Sequence, residues 1–192
     1  MKEDDKSDKR IPPGQYVTKS FPIFSISLTP KIDIEQWTLR VHGEVDNELS
    51  LSFSELKSLD NTQITKDIHC VTNWSKLDTN WRGVAISTLL EMTGVKGSAK
   101  QILFHSADGY TTNLDLKETL ENESWVVYEY EGGDIEAKHG GPVRALAPHL
   151  YFWKSAKWLT GIELVSEERL GTWEQTSYHH HGDPWKEERY KV

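Results

Sequence analysis

Cys70 is the one cysteine of the 192-residue chain, set in Asp67-Ile68-His69-Cys70-Val71-Thr72-Asn73-Trp74-Ser75. A lone thiol has no internal disulfide partner, which leaves three roles: buried filler, nucleophile or metal ligand. A thiolate is the soft ligand a transition metal takes from protein, while burial as a small hydrophobe is the commonest fate of a free cysteine. Two downstream segments weigh on the choice. His139-Gly140-Gly141-Pro142-Val143-Arg144 has glycines that let backbone approach a ligand closely. Its arginine can grip a phosphate bidentately. Lys154-Ser155-Ala156-Lys157 gathers two ammonium groups, a hydroxyl and small-residue backbone donors, between apolar Tyr151-Phe152-Trp153 and Trp158-Leu159. Taken singly, each segment reads as well as a turn or a solvated charged face. Taken together they describe a site for a phosphate-bearing cofactor, which favours the ligand role for Cys70. Ser106, at a strand end, is a candidate hydrogen-bond donor.

Other groupings carry less. Cys70 with His149 would make a Cys–His nucleophile pair, but no third, orienting residue is evident. His179-His180-His181 lacks the ligand spacing of a tetrahedral metal site and reads as non-metal. Trp173, Tyr178, Trp185 and Tyr190 read as packing rather than as a ligand cage.

These residues need elements to position them. Trp37 to Val45 alternates at period two and predicts a half-buried strand, with Leu49-Ser50-Leu51 as a short partner. Ser54 is a plausible cap for a helix through Leu59. Gln63 to Val71 predicts a strand that delivers Cys70 near its C-terminal end, and Asn80 to Val84 a turn. A helix over Ile86 to Met92 stops at Gly94. Further strands are expected at Gln101–Ser106, Trp125–Tyr130, Arg144–Ala147 and Thr160–Val165, and a short helix at Leu116–Leu120. Phe21 to Ile34, broken by Pro22 and Pro30, predicts an irregular arm. Many short strands with few short helices give a β-rich α+β class.

The length suits a single domain over residues 11–192 behind a flexible charged tail at 1–10. Eight Trp, seven Tyr and five Phe can build a core. A net charge of −8 argues against nucleic acid, which needs a basic face. It does not argue against an anion pocket with locally gathered cations. No stretch approaches a membrane span. The charged N-terminus and the single cysteine predict a cytoplasmic protein.

With these pieces in place, the chain resembles the sulfite oxidase family of molybdopterin-dependent oxidoreductases, in particular its small stand-alone prokaryotic members. The resemblance runs from Ile11 to Val192. Its motifs, in order, are Pro12-Pro13-Gly14-Gln15, Trp37-Thr38-Leu39-Arg40-Val41-His42-Gly43, and Ile68-His69-Cys70-Val71-Thr72-Asn73-Trp74-Ser75-Lys76-Leu77-Asp78. Residues 139–144, 148–158 and 182–190 complete the series. The resemblance implies a sulfite-oxidase-type fold and a molybdenum held by a pyranopterin dithiolene, one cysteine thiolate and oxo or water ligands, without haem. It makes Cys70 the metal ligand, puts His139 and Arg144 on the pterin and its phosphate, and Ser155, Ala156 and Lys157 at the phosphate end, with Ser106 near the pterin.

The implied reaction is oxygen-atom transfer between the VI and IV states of molybdenum. The implied substrate is a small oxyanion, sulfoxide or N-oxide, flanked by aromatics such as Trp74. The haem and dimerisation domains of animal and plant sulfite oxidases are not seen, so a separate electron-transfer partner is expected. Where those enzymes carry Arg-Asn-His, with an arginine that binds sulfite, this chain has Phe24-Ser25-Ile26-Ser27. Sulfite therefore does not carry across, and Arg82 is a candidate to supply the missing cation. A Cys–His hydrolase and a non-catalytic molybdopterin-binding module remain as alternatives.

Overall fold

The computed structural model describes residues 10–191. Of the expected tail, residues 1–9 lie outside the described residues. Arg10 is held, its Nη2 lying 2.5 Å from Asp67 Oδ1 and 2.6 Å from Asp78 Oδ1.

Two β-sheets, joined by short helices, form the structure. The first contains β1 (Tyr16–Val17), β4 (Thr62–His69), β5 (Trp74–Ala85), β8 (Trp125–Tyr130), β9 (Gly133–Asp134) and β10 (Arg144–Leu146). Its path is β1-β5-β8-β10, with β4 on β5 and β9 on β8. The second contains β2 (Thr38–Gly43), β3 (Leu49–Ser52), β6 (Gln101–Ser106), β7 (Thr111–Asp115) and β11 (Leu159–Val165), in the order β3-β2-β11-β6-β7. β11 runs parallel to β2 and antiparallel to β6, so the last strand closes the second sheet between its early strands.

Alternation decides the layers. Val126 and Tyr128 of β8 join Leu39, Phe104 and Ile162 of the second sheet in the larger core. Trp125 and Val127, one residue out of phase, face the other way and pack with Ile68, Trp74 and Trp81. The first sheet is buried on both faces.

The helices are α1 (Phe53–Ser58), α2 (Ile86–Thr93), α3 (Leu116–Glu121) and α4 (Thr172–Thr176). α1 starts earlier than the Ser54 cap predicts. Ser52 is the cap, forming a reciprocal capping box with Glu55. α2 ends at Gly94, as expected.

The expected turn at Asn80–Val84 is wrong, because it lies inside β5. Trp81 and Val84 are buried there, and Gly83 is needed for contact rather than for turning: a Cβ at 83 would stand 2.2 Å from Val126 O. A register shift between Arg82 and Gly83 lets β5 stay paired with β8. β1, β7 and α4 carried no clear periodic signal.

Candidate functional site

Cys70 follows the last residue of β4 and opens a tight connection to β5. Cys70 N donates to Trp74 O at 2.8 Å and Asn73 N to Cys70 O at 3.1 Å. Asn73 sits at φ 72°, a left-handed conformation that asparagine tolerates better than most residues. Segments distant in sequence brace this turn. Gln15 Nε2 donates to Cys70 O at 3.0 Å, and Asn73 Nδ2 to Gly14 O at 2.8 Å. Arg189 Nη1 donates to Val71 O at 2.7 Å.

The sulfur lies 3.1 Å from Thr72 Oγ1. Burial pushes the thiol up, and the Thr72 hydrogen bonds oppose it. That is the reverse of an activated nucleophile, which needs a depressed pKa or an adjacent base. Among the described residues no histidine is hydrogen-bonded to the sulfur. His149 has both ring nitrogens buried without partners and is absent from the walls around Cys70. The Cys–His pairing does not form.

Cys70 lines a partly open cleft. Ser106, His139, Arg144, Ser155, Ala156 and Lys157 line the same cleft, so all seven sequence-predicted residues meet in one place. Ser106 is the last residue of β6, paired in register with Leu159 of β11. Arg144 opens β10, and Ser155-Ala156-Lys157 lie one residue, Trp158, before β11, with Ala145 N donating to Ala156 O at 2.8 Å. At Gly140 (φ +104°) a Cβ would come within 2.9 Å of Lys157 Cβ, so only glycine lets these two segments touch.

The electrostatics are cationic. Arg144 is buried, and its Nη1 and Nη2 donate to His139 O at 2.6 Å and Ser155 O at 2.8 Å. Phe152 covers one face, 4.2 Å from the guanidinium carbon. Burial pushes Arg144 down to about 9, still charged at neutral pH. Lys157 Nζ donates to Phe24 O at 2.8 Å and Lys138 O at 3.1 Å, and burial with the Arg144 charge pushes it down to about 8. Neither cation has a carboxylate partner among the ion pairs of the described residues. His139 stacks on Phe21 at 4.2 Å, and burial and Arg144 lower its pKa. Ser106 Oγ is buried with no hydrogen-bond partner. A thiol, two cations without carboxylate ion-pair partners and an orphaned hydroxyl, all on one cleft, fit an anionic organic chelate of a thiolate-bound transition metal.

Several expectations need correction. Lys154 is not a phosphate cation: its Nζ is fully buried 2.7 Å from Glu174 Oε1 and also donates to Asn113 O and His180 O. Ser155 Oγ is occupied as an acceptor for Ala147 N at 2.9 Å. Arg82 pairs with Glu129 at 3.2 Å and is absent from the cleft walls. Trp173 and Tyr178 are cleft walls, stacked on each other at 4.8 Å, whereas Trp185 and Tyr190 are exposed. In the His179–His181 run, His181 Nε2 meets Glu118 Oε2 at 2.7 Å.

The irregular arm expected at Phe21 to Ile34 brings Phe24, Ser25 and Ile26 to the cleft wall, and Asp108, which accepts a hydrogen bond from Ser27 Oγ, is a wall residue with no counterpart among the expected ones.

Comparison with known proteins agrees with this geometry. Residues 26–173 match the family model for the oxidoreductase molybdopterin binding domain. The chain is 43% identical over 182 residues to the uncharacterized oxidoreductase YuiH of Bacillus subtilis, covering 94% of this chain and 92% of YuiH. It is 24% identical over 190 residues to mitochondrial sulfite oxidase of Drosophila melanogaster, covering 85% of this chain but 32% of that protein. The crystal structure of the sulfane dehydrogenase SoxCD from Paracoccus pantotrophus superposes with a TM-score of 0.66 at 18% identity, over 79% of this chain and 44% of that one. The chain thus spans about a third of the sulfite oxidase and under half of the SoxCD chain, and the latter likeness concerns the fold alone. From the matched family model, the YuiH identity and a β-rich α+β fold shared with SoxCD, the chain belongs to the oxidoreductase molybdopterin binding domain family, as a molybdopterin-dependent oxidoreductase of sulfite-oxidase type whose cofactor is a molybdenum pyranopterin.

Proposed function

We propose that this protein catalyses oxygen-atom transfer to or from a small oxyanion, sulfoxide or N-oxide, moving one oxygen and two electrons per cycle. The observation that carries the reading is the convergence of the Cys70 thiol with two cations lacking counter-ions on one cleft. In this reading Cys70 ligates the metal, Arg144 and Lys157 neutralise the phosphate end, and His139, Ser106 and the 155–156 backbone bind the pterin and its tail. Bound there, the cofactor supplies the oxygen exchange and the change between molybdenum VI and IV; the protein supplies position and electrostatics.

Trp74, Trp173 and Tyr178 are the proposed substrate walls, each on the cleft that Cys70 lines. Their apolar faces exclude water from the reacting atom. Residues 11–192 are proposed to act as one functional domain, because segments near both ends brace the Cys70 turn. Electrons are proposed to pass through a separate redox partner. The unpaired cysteine supports a reducing, cytoplasmic location.

The deciding experiment is metal and pterin analysis of protein from a host that makes the cofactor, followed by dye-linked turnover with sulfoxides, N-oxides and oxyanions. Stoichiometric molybdenum with turnover supports the reading. Cofactor-loaded protein that is inactive toward all of them with artificial electron donors and acceptors would leave a binding module instead. Trp74→Ala with unchanged turnover would remove Trp74 from the substrate wall.

A further inference from the structure

The turn that presents Cys70 is braced from outside its own hairpin, and the C-terminal brace is a charged one. Arg189 Nη1 donates to Val71 O at 2.7 Å, Nη2 donates to Pro13 O at 3.2 Å, and the guanidinium carbon lies 5.0 Å from the Tyr151 ring centroid. One planar group thus ties three segments together: the Cys70 turn, the Pro12–Gln15 entry that also holds Cys70 O, and the segment before the phosphate-end residues. The tail carrying Arg189 is itself fixed, because the neighbouring Glu188 accepts from Asp183 N at 2.9 Å and contacts His181.

The shape of guanidinium suits this bridge. Two N–H groups reach two carbonyls while the flat face stacks on an aromatic ring, which an ammonium cannot reproduce. Among the described residues Arg189 makes no direct ion pair; Glu187 Oε1 flanks the same space beside Gly14 as Arg189 Nη2, and Arg189 Nη1 meets the carbonyl of the residue next to Cys70. A fixed positive charge beside a metal-bound thiolate disfavours the oxidised, more positive metal centre, and outer groups of this kind tune ligand geometry and potential.

We propose that Arg189 is a positioning residue for the metal-ligating sulfur, fixing the Cys70 turn through Val71 O and raising the reduction potential of the centre through its positive charge. This rests on Cys70 being the ligand, as set out under Proposed function.

The test uses cofactor-loaded wild type, Arg189→Met, Arg189→Lys and, as a structural control, Arg10→Met, which removes ion pairs to Asp67 and Asp78 elsewhere on the same hairpin. Metal content, the sulfur-to-metal absorption band, the reduction potential by redox titration and kcat with KM are measured. Arg189→Met is expected to keep its metal, shift the potential downward, alter the band and lower kcat about tenfold with KM unchanged. Arg189→Lys keeps the potential but shows the altered band and lowered kcat. Arg10→Met loses thermal stability with potential and band unmoved.

An Arg189→Met potential equal to wild type, or a shift matched by Arg10→Met, overturns the inference. Should Arg189→Met fail to fold, Arg189→Lys decides: a wild-type band and kcat there overturn it. Wild-type protein without molybdenum would sink the ligand role of Cys70 itself, a separate outcome from these.

Discussion

Lys154 Nζ lies 2.7 Å from Glu174 Oε1, and both side chains are wholly removed from solvent. Glu174 Oε1 also accepts from Thr112 Oγ1 at 2.6 Å and Trp153 Nε1 at 2.9 Å. One carboxylate therefore joins α4, β7 and the segment leading to the phosphate-end residues. It stands behind Trp153 and Trp173, two walls of the cleft.

Breaking this pair from one side leaves an uncompensated buried charge. Glu174→Ala is expected to destabilise the fold by about 3–5 kcal/mol. The double variant Lys154→Met/Glu174→Gln removes both charges and should lose less than the sum of the two single changes. Urea unfolding of apoprotein measures all of them; additive losses would show that the two side chains do not act as a pair.

Cys70→Ala is expected to abolish turnover yet keep most of the pterin, because the proposed phosphate contacts, Arg144 and Lys157, come from other segments of the cleft. The fluorescence of released, oxidised pterin, set beside elemental molybdenum, separates the two losses. Retained turnover would exclude the sulfur as the metal ligand.

Arg144→Met should cost pterin affinity about 2 kcal/mol, the value of a hydrogen bond to a charged group, or roughly thirtyfold. Arg144→Lys should recover part of this through charge alone, since one ammonium cannot also bridge His139 O and Ser155 O. Reconstitution titrations of apoprotein read the affinity, and equal affinities across the three proteins would contradict the assignment.

Lys157 gives a pH dependence of definite sign. Burial, then the Arg144 charge, pushes it from 10.5 to about 8. Below pH 8 both folded and unfolded chains carry the proton. Between pH 8 and 10.5 the unfolded chain binds a proton that the folded chain does not, so apoprotein stability rises with pH across that window. Anion binding runs the opposite way, weakening above pH 8 as the ammonium is lost. Thermal unfolding of wild type against Lys157→Met, with and without pyrophosphate, measures both trends. A wild-type-minus-variant difference that stays flat from pH 7 to 10 would show that Lys157 does not titrate there.

Much of the frame was legible in local pattern. The strands at Gln101–Ser106 and Trp125–Tyr130 fall where their β-branched and aromatic residues place them, and Gly94 ends α2 as a left-handed stop should. The β5 interior was not legible, because Asn80, Arg82 and Gly83 have turn chemistry while their pairing with β4 and β8 is a long-range matter. Tertiary contact overrode propensity there. The arm was legible as irregular chain but not as a cleft wall, since nothing local says which surface an irregular segment will cover.

The amino-acid sequence by itself determined the inventory: one thiol, an arginine behind two glycines, and a lysine-flanked Ser-Ala step, in an order that resembles the molybdopterin-dependent sulfite oxidase family. Only the tertiary structure decided which charges are free to act. Lys154 and Lys157 are three residues apart and chemically identical. Folding pairs the first with Glu174 in the interior and leaves the second on the cleft with backbone carbonyls for partners. The reason is that a charge buried from water needs polar partners in space, which are backbone carbonyls for Arg144 and Lys157 and, for Lys154, the Glu174 carboxylate. That partner comes from a distant helix, and no local pattern around either lysine specifies it.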